Sequence, residues 1–141
     1  MAEDRAPAVT KDAVPIRATI AGTTLELIES GRGRLEALLE LIRGAERSVR
    51  LLFYIFAGDA AGSAVRDALV EAARRGVRVH VLLDGYGCSK IGPAFFKALD
   101  ENGGRFCLFN PAYGRRYLVR NHQKLAIADE RRALIGGANV E

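Results

Sequence analysis

The spacing of apolar side chains changes several times along this chain, and each change predicts an element. "TTLELIE" (23–29) alternates apolar and polar residues, the period of a half-buried strand. In "GRLEALLELIRGAE" (33–46), Leu35, Leu38, Leu39 and Ile42 recur at helical intervals. "SVRLLFYIF" (48–56) is β-branched and aromatic, which predicts a strand. "AGSAVRDALVEAARRG" (61–76) returns to helical spacing through Val65, Ala68, Leu69 and Ala72, with Gly76 as its stop. "VRVHVLLD" (77–84) reads as a strand. "GPAFFKALDENGG" (92–104) reads as a helix with Pro93 in its first turn and Gly103 at its end. "RFCLF" (105–109) is a further strand and "NPAYGRRY" (110–117) a loop. "HQKLAIA" (122–128) and "ALIGG" (133–137) are two strands joined by the polar "DERR".

Strands that alternate with helices indicate βαβ units and a mostly parallel sheet. The closing pair of strands predicts an antiparallel hairpin, so the fold class is α/β with a mixed sheet flanked by helices. Residues 1–16 are rich in Ala, Pro and charge and are expected to be a flexible leader before a folded lobe at 17–141. The start, "MAEDRAPAVTKDAVP", has no apolar h-region and does not read as a signal peptide.

Composition changes this picture little. The 141 residues are 49% hydrophobic and 27% charged, as in ordinary globular chains. A net charge of +4 favours anionic partners, either lipid head groups or nucleic acid. No apolar run reaches the roughly 20 residues that span a bilayer. Cys88 and Cys107 are too far apart for a paired metal-ligand motif and are expected to be reduced thiols.

Candidate chemistry concentrates in "RNHQKLAIADERRALIGGANVE" (120–141). If 122–128 is a strand, His122 and Lys124 share a face with Ala126 and Ala128, whose small side chains leave room above them. An imidazole can attack phosphorus or carry a proton, and an ammonium can hold a phosphate oxygen. That pair suits phosphodiester chemistry without a metal or other cofactor. Asp129 falls past the strand end and reads as a structural anion, pairing with an Arg or a turn amide. The amides of the "GGAN" turn, including that of Gly137, can approach a phosphate, and Asn139 adds a side-chain donor. An exposed His and Lys on a strand are also what an ordinary solvated face shows, and spacing alone leaves both readings open. Tyr54 and Phe56 share a strand face and either pack in the core or line a pocket. "DGYGCSK" (84–90) follows a strand end, where open α/β sheets bind ligands. Arg105, Arg115, Arg116, Arg120, Lys124, Arg131 and Arg132 make residues 105–132 basic: a solvated face or an anion-docking patch.

"HQKLAIAD" fits the H-x-K-x4-D signature of the phospholipase D superfamily, and "GGAN" follows six residues later. The Gly136–Gly137 pair, with "VRLLFYIF", "ARRGVRVHVLLDGYG" and "FNP" upstream, resembles the cardiolipin synthase branch over roughly residues 23–141. The resemblance implies a phospholipase D-like lobe, incomplete at its C-terminal end, and a ping-pong phosphatidyl transfer through a phosphohistidine. It implies His122 as nucleophile, Lys124, Gly137 and Asn139 around the phosphate, and Asp129 completing the motif. It further implies phosphatidylglycerol as substrate, peripheral contact with the cytoplasmic face of a bacterial membrane, and a second His-x-Lys lobe from a longer chain or a homodimer partner. The isolated chain is then expected to be inactive. A superfamily phosphodiesterase acting on nucleic acid, and a non-catalytic lobe that binds anionic lipid, are the competing expectations.

Overall fold

A computed structural model of the protein describes residues 16–110 and 119–141. The expected leader, apart from Ile16, and the loop bearing Arg115, Arg116 and Tyr117 lie outside these residues. The chain divides into two compact units, Met1–Ser30 and Gly31–Glu141.

The first unit is a hairpin. β1 (Ile16–Ile20) pairs antiparallel with β2 (Thr23–Leu27). Ala21 and Gly22 make the turn with φ of 49° and 81°. Two successive positive φ values match the right-handed twist of the flanking strands, and glycine takes one of them without steric cost. One face carries the Arg17–Glu26 ion pair and the Thr19–Thr24 hydroxyl contact. The other carries Ile16, Ile20, Leu25 and Leu27, all exposed. Periodicity marked β2 but not β1.

The second unit is built on a five-stranded mixed sheet in the order β5-β4-β3-β6-β7. β3 (Ser48–Phe53), β4 (Arg78–Asp84) and β5 (Arg105–Phe109) run parallel, joined by α2 (Ala60–Arg74) and α3 (Lys97–Glu101). β6 (Leu125–Ala128) pairs antiparallel with the free edge of β3, and β7 (Arg132–Ile135) turns back on β6. α1 (Gly31–Arg43) precedes β3. The helices pack on one face: α1 against β6 and β7, α2 against β4, α3 against β5. That face buries Val49, Leu51, Phe53, Val79, Val81 and Leu83 with Leu38, Ile42, Val65 and Leu69 from the helices. Burying a side chain of this size stabilises by about 1.5–3 kcal/mol against leaving it exposed. The opposite face presents exposed Arg50, His80 and Arg105 around half-buried Leu52, Leu82 and Ile127, lining an open concavity of about 480 Å³.

Two expected elements differ. The helix expected at 92–104 is a 3-10 turn at Pro93–Phe96 followed by the short α3. The break falls at Phe96, whose φ of −102° and ψ of 8° are not helical. Its ring is fully buried, stacked on Phe106 at 4.5 Å and edge-on to Phe56 at 5.4 Å, so core packing sets the backbone there.

The strand expected at 122–128 begins only at Leu125. The amides before it bond to side chains rather than to a ladder. Asn121 N–H donates to Asp84 Oδ2 (3.2 Å), and Gln123 N–H donates to Asn121 Oδ1 (3.1 Å). Side-chain acceptors of this kind compete directly with strand pairing. Ala126 and Ala128 do point to one face, as period two requires, but both are fully buried beneath α1. Their small size lets the helix approach the sheet, so the room expected above these alanines is taken by α1.

Candidate functional site

Three segments meet at the C-terminal end of β3: Tyr54–Phe56, residues 121–124, and residues 136–140. Each is tied to the next by main-chain bonds. Ala57 N–H donates to the Val140 carbonyl (2.7 Å) and Val140 N–H to the Ile55 carbonyl (3.3 Å). Gly136 N–H donates to the Lys124 carbonyl (3.3 Å). Asn139 Oδ1 accepts from Ile55 N–H (3.3 Å), while its Nδ2 donates to Glu141 Oε1 (3.2 Å). The loop that precedes β7's partner strand and the loop that follows β7 are thereby fixed against one strand end.

The side chains gather on one ring. The His122 imidazole stacks on Tyr54, with centroids 3.9 Å apart and an interplanar angle of 22°. The Lys124 ammonium lies 5.6 Å from the same ring centroid and donates to the His122 carbonyl at 2.7 Å. An aromatic face attracts an ammonium through its quadrupole. His122 itself is exposed and Lys124 half-buried. An imidazole and an amino group thus share one ring face at an open surface. Nothing within 4 Å would meet a Cβ at Gly136 or Gly137, so the glycine backbone beside them faces open space.

Asp129 is elsewhere. It sits at the far end of β6, in the turn to β7, with φ of 57°. Its carboxylate accepts the amides of Glu46 (3.0 Å), Arg47 (2.7 Å) and Ser48 (2.9 Å), at the start of β3. These bonds, with the nearby Arg47 charge, pull its pKa from 3.8 down to about 2. β6 therefore separates Asp129 from His122, which touches the opposite end of β3. The four-residue strand and its lead-in put them on the order of 20 Å apart. The structure gathers His122, Lys124, Gly137 and Asn139 but not Asp129.

Two residues of the site were not legible from spacing. Tyr54 was open between core and pocket; Phe56 is the core residue, and Tyr54 carries the histidine. Asp84, at the end of β4, is fully buried. Its Oδ1 accepts from Tyr86 N–H (2.9 Å) and Gly87 N–H (3.2 Å), and its Oδ2 takes Asn121 N–H. The signal for it was an acidic residue ending a buried strand just before "GYG". Cys88, in the turn that Asp84 holds, donates its thiol to the Tyr54 carbonyl (3.4 Å). Burial raises its pKa to about 11, so it stays a thiol, and Cys107 is likewise free. Among the described residues no group of three or more His, Cys, Asp or Glu is arranged to hold a metal ion, and no helix is long and apolar enough to cross a membrane.

Comparison with known proteins bears on the family and the fold. Residues 38–141 match the family described as "Cardiolipin synthase, PLD-like domain". The chain is 39% identical over 121 residues to the major cardiolipin synthase of Bacillus subtilis, covering 83% of this chain and 25% of that one. It is 35% identical over 123 residues to cardiolipin synthase B of Escherichia coli, covering 84% of this chain and 30% of that one. The chain thus spans between a quarter and a third of the length of these relatives. Among solved structures it resembles Nuc, a phospholipase D family member from Salmonella typhimurium (TM-score 0.56, 25% identity, 75% of this chain and 64% of that one). It shares its fold with NucT from Helicobacter pylori (TM-score 0.54, 22% identity, 78% and 69%). The matched span runs from α1 through the His122–Lys124 segment to the last residue, and on that basis the chain belongs to the phospholipase D-like domain family of the cardiolipin synthases.

Proposed function

We propose that this chain supplies one half of an active site that transfers a phosphatidyl group, as in a cardiolipin synthase, through a covalent phosphohistidine. The observation that carries the reading is the gathering of His122 and Lys124 on the Tyr54 ring, beside the 136–139 turn, in a chain of this family. An imidazole nitrogen of His122 attacks the phosphorus of phosphatidylglycerol. The bond to the glycerol head group breaks, and the departing oxygen takes a proton from a second histidine. The second histidine then removes the proton of an incoming hydroxyl. That hydroxyl, from another phosphatidylglycerol, displaces His122 to give cardiolipin. The balance is two phosphatidylglycerols to one cardiolipin and one glycerol. Lys124, the amide of Gly137 and the Asn139 amide group neutralise charge on the phosphate oxygens. Asp129 acts through the fold, by fixing the start of β3.

The second histidine must come from another motif. His80, the chain's other histidine, lies within β4 and has Leu82, not Lys, two residues on. A longer chain or a second copy supplies the partner motif. Substrate is met at the cytoplasmic surface of a bacterial membrane, an anionic surface that the chain's net charge of +4 favours.

The test is to supply phosphatidylglycerol vesicles and plasmid DNA to the chain alone and to the chain joined to a second His-x-Lys motif. The reading requires cardiolipin from the joined form, little from the chain alone, and an acid-labile phosphoenzyme absent in His122→Asn. Consumption of DNA but not lipid makes the chain a superfamily phosphodiesterase instead. Full turnover in His122→Asn overturns the nucleophile assignment.

A further inference from the structure

We propose that Tyr54 is the positioning residue of this site: its ring sets the plane of the His122 imidazole and keeps the Lys124 ammonium beside it. The inference rests on the reading of His122 and Lys124 as the reacting pair.

The lone pair of an imidazole nitrogen lies in the ring plane, so whatever fixes that plane fixes the direction of attack on phosphorus. His122 is exposed, and its segment is not part of the strand ladder. On an exposed lead-in the imidazole has its rotamers free unless something packs on it. The structure supplies one aromatic face, 3.9 Å away and tilted by 22°. At this separation and tilt the two rings are in direct face-to-face contact, so the plane of one constrains the plane of the other. The same face draws Lys124, whose ammonium is also tied to the His122 carbonyl. A single ring therefore couples the two groups whose mutual placement the transfer needs.

Tyr54 is itself held in a way that serves this role. Its carbonyl accepts the Cys88 thiol. Gly87 packs so closely on it that a Cβ there would overlap the Tyr54 carbonyl oxygen. The turn made by Gly87 and Cys88 hangs on Asp84, through Gly87 N–H to Oδ1 (3.2 Å) and Cys88 N–H to the Asp84 carbonyl (3.0 Å). The other oxygen of the same carboxylate holds Asn121, next to His122. One buried acid at the end of β4 thus anchors both sides of the stack: the tyrosine that carries the ring and the segment that carries the histidine. A tyrosine serving only as core would be buried like Phe56, its neighbour two residues on; Tyr54 is half-exposed.

The experiment has a spectroscopic arm and a kinetic arm. The chain holds two histidines, so His80→Gln assigns the His122 ring signals. In the wild-type chain, nuclear Overhauser contacts between the His122 and Tyr54 rings are expected, with His122 ring protons shifted upfield by the stack. Tyr54→Phe keeps both features; Tyr54→Leu, which keeps apolar volume but removes the ring, loses the shift. In the joined two-motif form, Tyr54→Phe keeps kcat close to wild type. Tyr54→Leu lowers it about ten- to a hundred-fold with KM little changed, the effect of misplacing a reacting group by a fraction of an ångström to one ångström. Absence of the ring–ring contacts in the wild-type chain overturns the proposal, and it does so even if Tyr54→Leu fails to fold. A folded Tyr54→Leu with wild-type kcat overturns it as well. If no joined form turns over any phosphodiester, the functional reading falls, and the ring–ring contacts alone decide whether Tyr54 holds His122.

Discussion

Replacing Asp84 by Asn tests how the segment that carries His122 is anchored. The two side chains are nearly equal in size, so the change leaves neither a cavity nor an overpacked core. What changes is that one acceptor oxygen becomes an NH2 donor. In the wild type three amides, those of Tyr86, Gly87 and Asn121, converge on the two carboxylate oxygens. With Asn, one orientation keeps the oxygen toward Tyr86 and Gly87 and sets NH2 against Asn121 N–H. The flipped orientation keeps Asn121 and opposes two amides. The first orphans fewer donors and is the one expected. An amide left unpaired in a buried setting costs about 1–3 kcal/mol. The two surviving bonds also lose their charge assistance, which places the total toward the upper end of that range. For a chain of this length each kcal/mol moves Tm by about 4 °C, so Tm should fall by about 8–12 °C. Thermal unfolding by circular dichroism measures the loss, and amide exchange by NMR locates it. Asn121 should exchange faster, while Tyr86 and Gly87 stay protected. An unchanged Tm, or loss of protection at Tyr86 and Gly87 with Asn121 still protected, would show that Asp84 does not work as the shared anchor.

Four further outcomes follow from the same geometry. Asp129 has a folded pKa of about 2 against an ordinary 3.8, so its carboxylate stabilises the fold above about pH 4 and loses this as pH falls toward 2. The Tm gap between wild type and Asp129→Ala should therefore be widest near neutrality and close between pH 4 and 2; a gap that stays constant across that window removes the carboxylate explanation. Lys124→Ala should lower kcat/KM of the joined form by about 10²–10³-fold, the cost of removing one preorganised charge-stabilising group. Lys124→Arg should recover only part of this, because a planar fork replaces a point charge; full recovery argues that any cation suffices there. Transfer should survive EDTA, since the proposed mechanism uses His122 and Lys124 and no metal; activity lost on chelation and restored by one divalent metal would sink the metal-free mechanism. Binding to vesicles that contain anionic lipid should weaken steadily as salt rises, and equal retention by neutral vesicles would contradict electrostatic docking.

Period and punctuation made most of the fold readable, because α1, α2, β3, β4 and β5 are each specified by local burial. Where the reading missed, a contact distant in sequence set the local structure. "IRATI" became β1 through pairing with β2 across a two-residue turn, and its neighbours Ala21 and Gly22 are a weaker turn signal than Asn-Gly. Phe96 broke the expected helix because its ring belongs to a buried aromatic cluster. Residues 122–124 left the ladder because Asp84, 37 residues before Asn121, captures the amide that begins the segment. The site divides in the same way. The spacing of His122, Lys124 and Asp129 is a pattern along one segment and could be read there. The use of Tyr54 and Asp84 is a pattern across three strand ends, and no single segment contains it.

The antiparallel insertion of β6 also bears on how the chain reaches this structure. β3, β4 and β5 are joined in order by short helical crossovers, so their pairing closes modest loops. β6 must instead return to β3 from far along the chain: Asp129 meets the Arg47 amide across 82 residues, and Asn139 meets the Ile55 amide across 84. Contacts at such separation carry the largest closure entropy and are expected to form last. Until they do, β3 has one edge unpaired, with Leu51 and Leu52 beside it, and a bare apolar edge is a template for strands of other molecules. During synthesis that edge waits until residues 125–128 have emerged. The strand that brings His122 and Lys124 to Tyr54 is therefore also the one that covers the apolar edge of β3, so slowing its arrival should recruit chaperones or yield aggregates before it yields a folded but inactive protein.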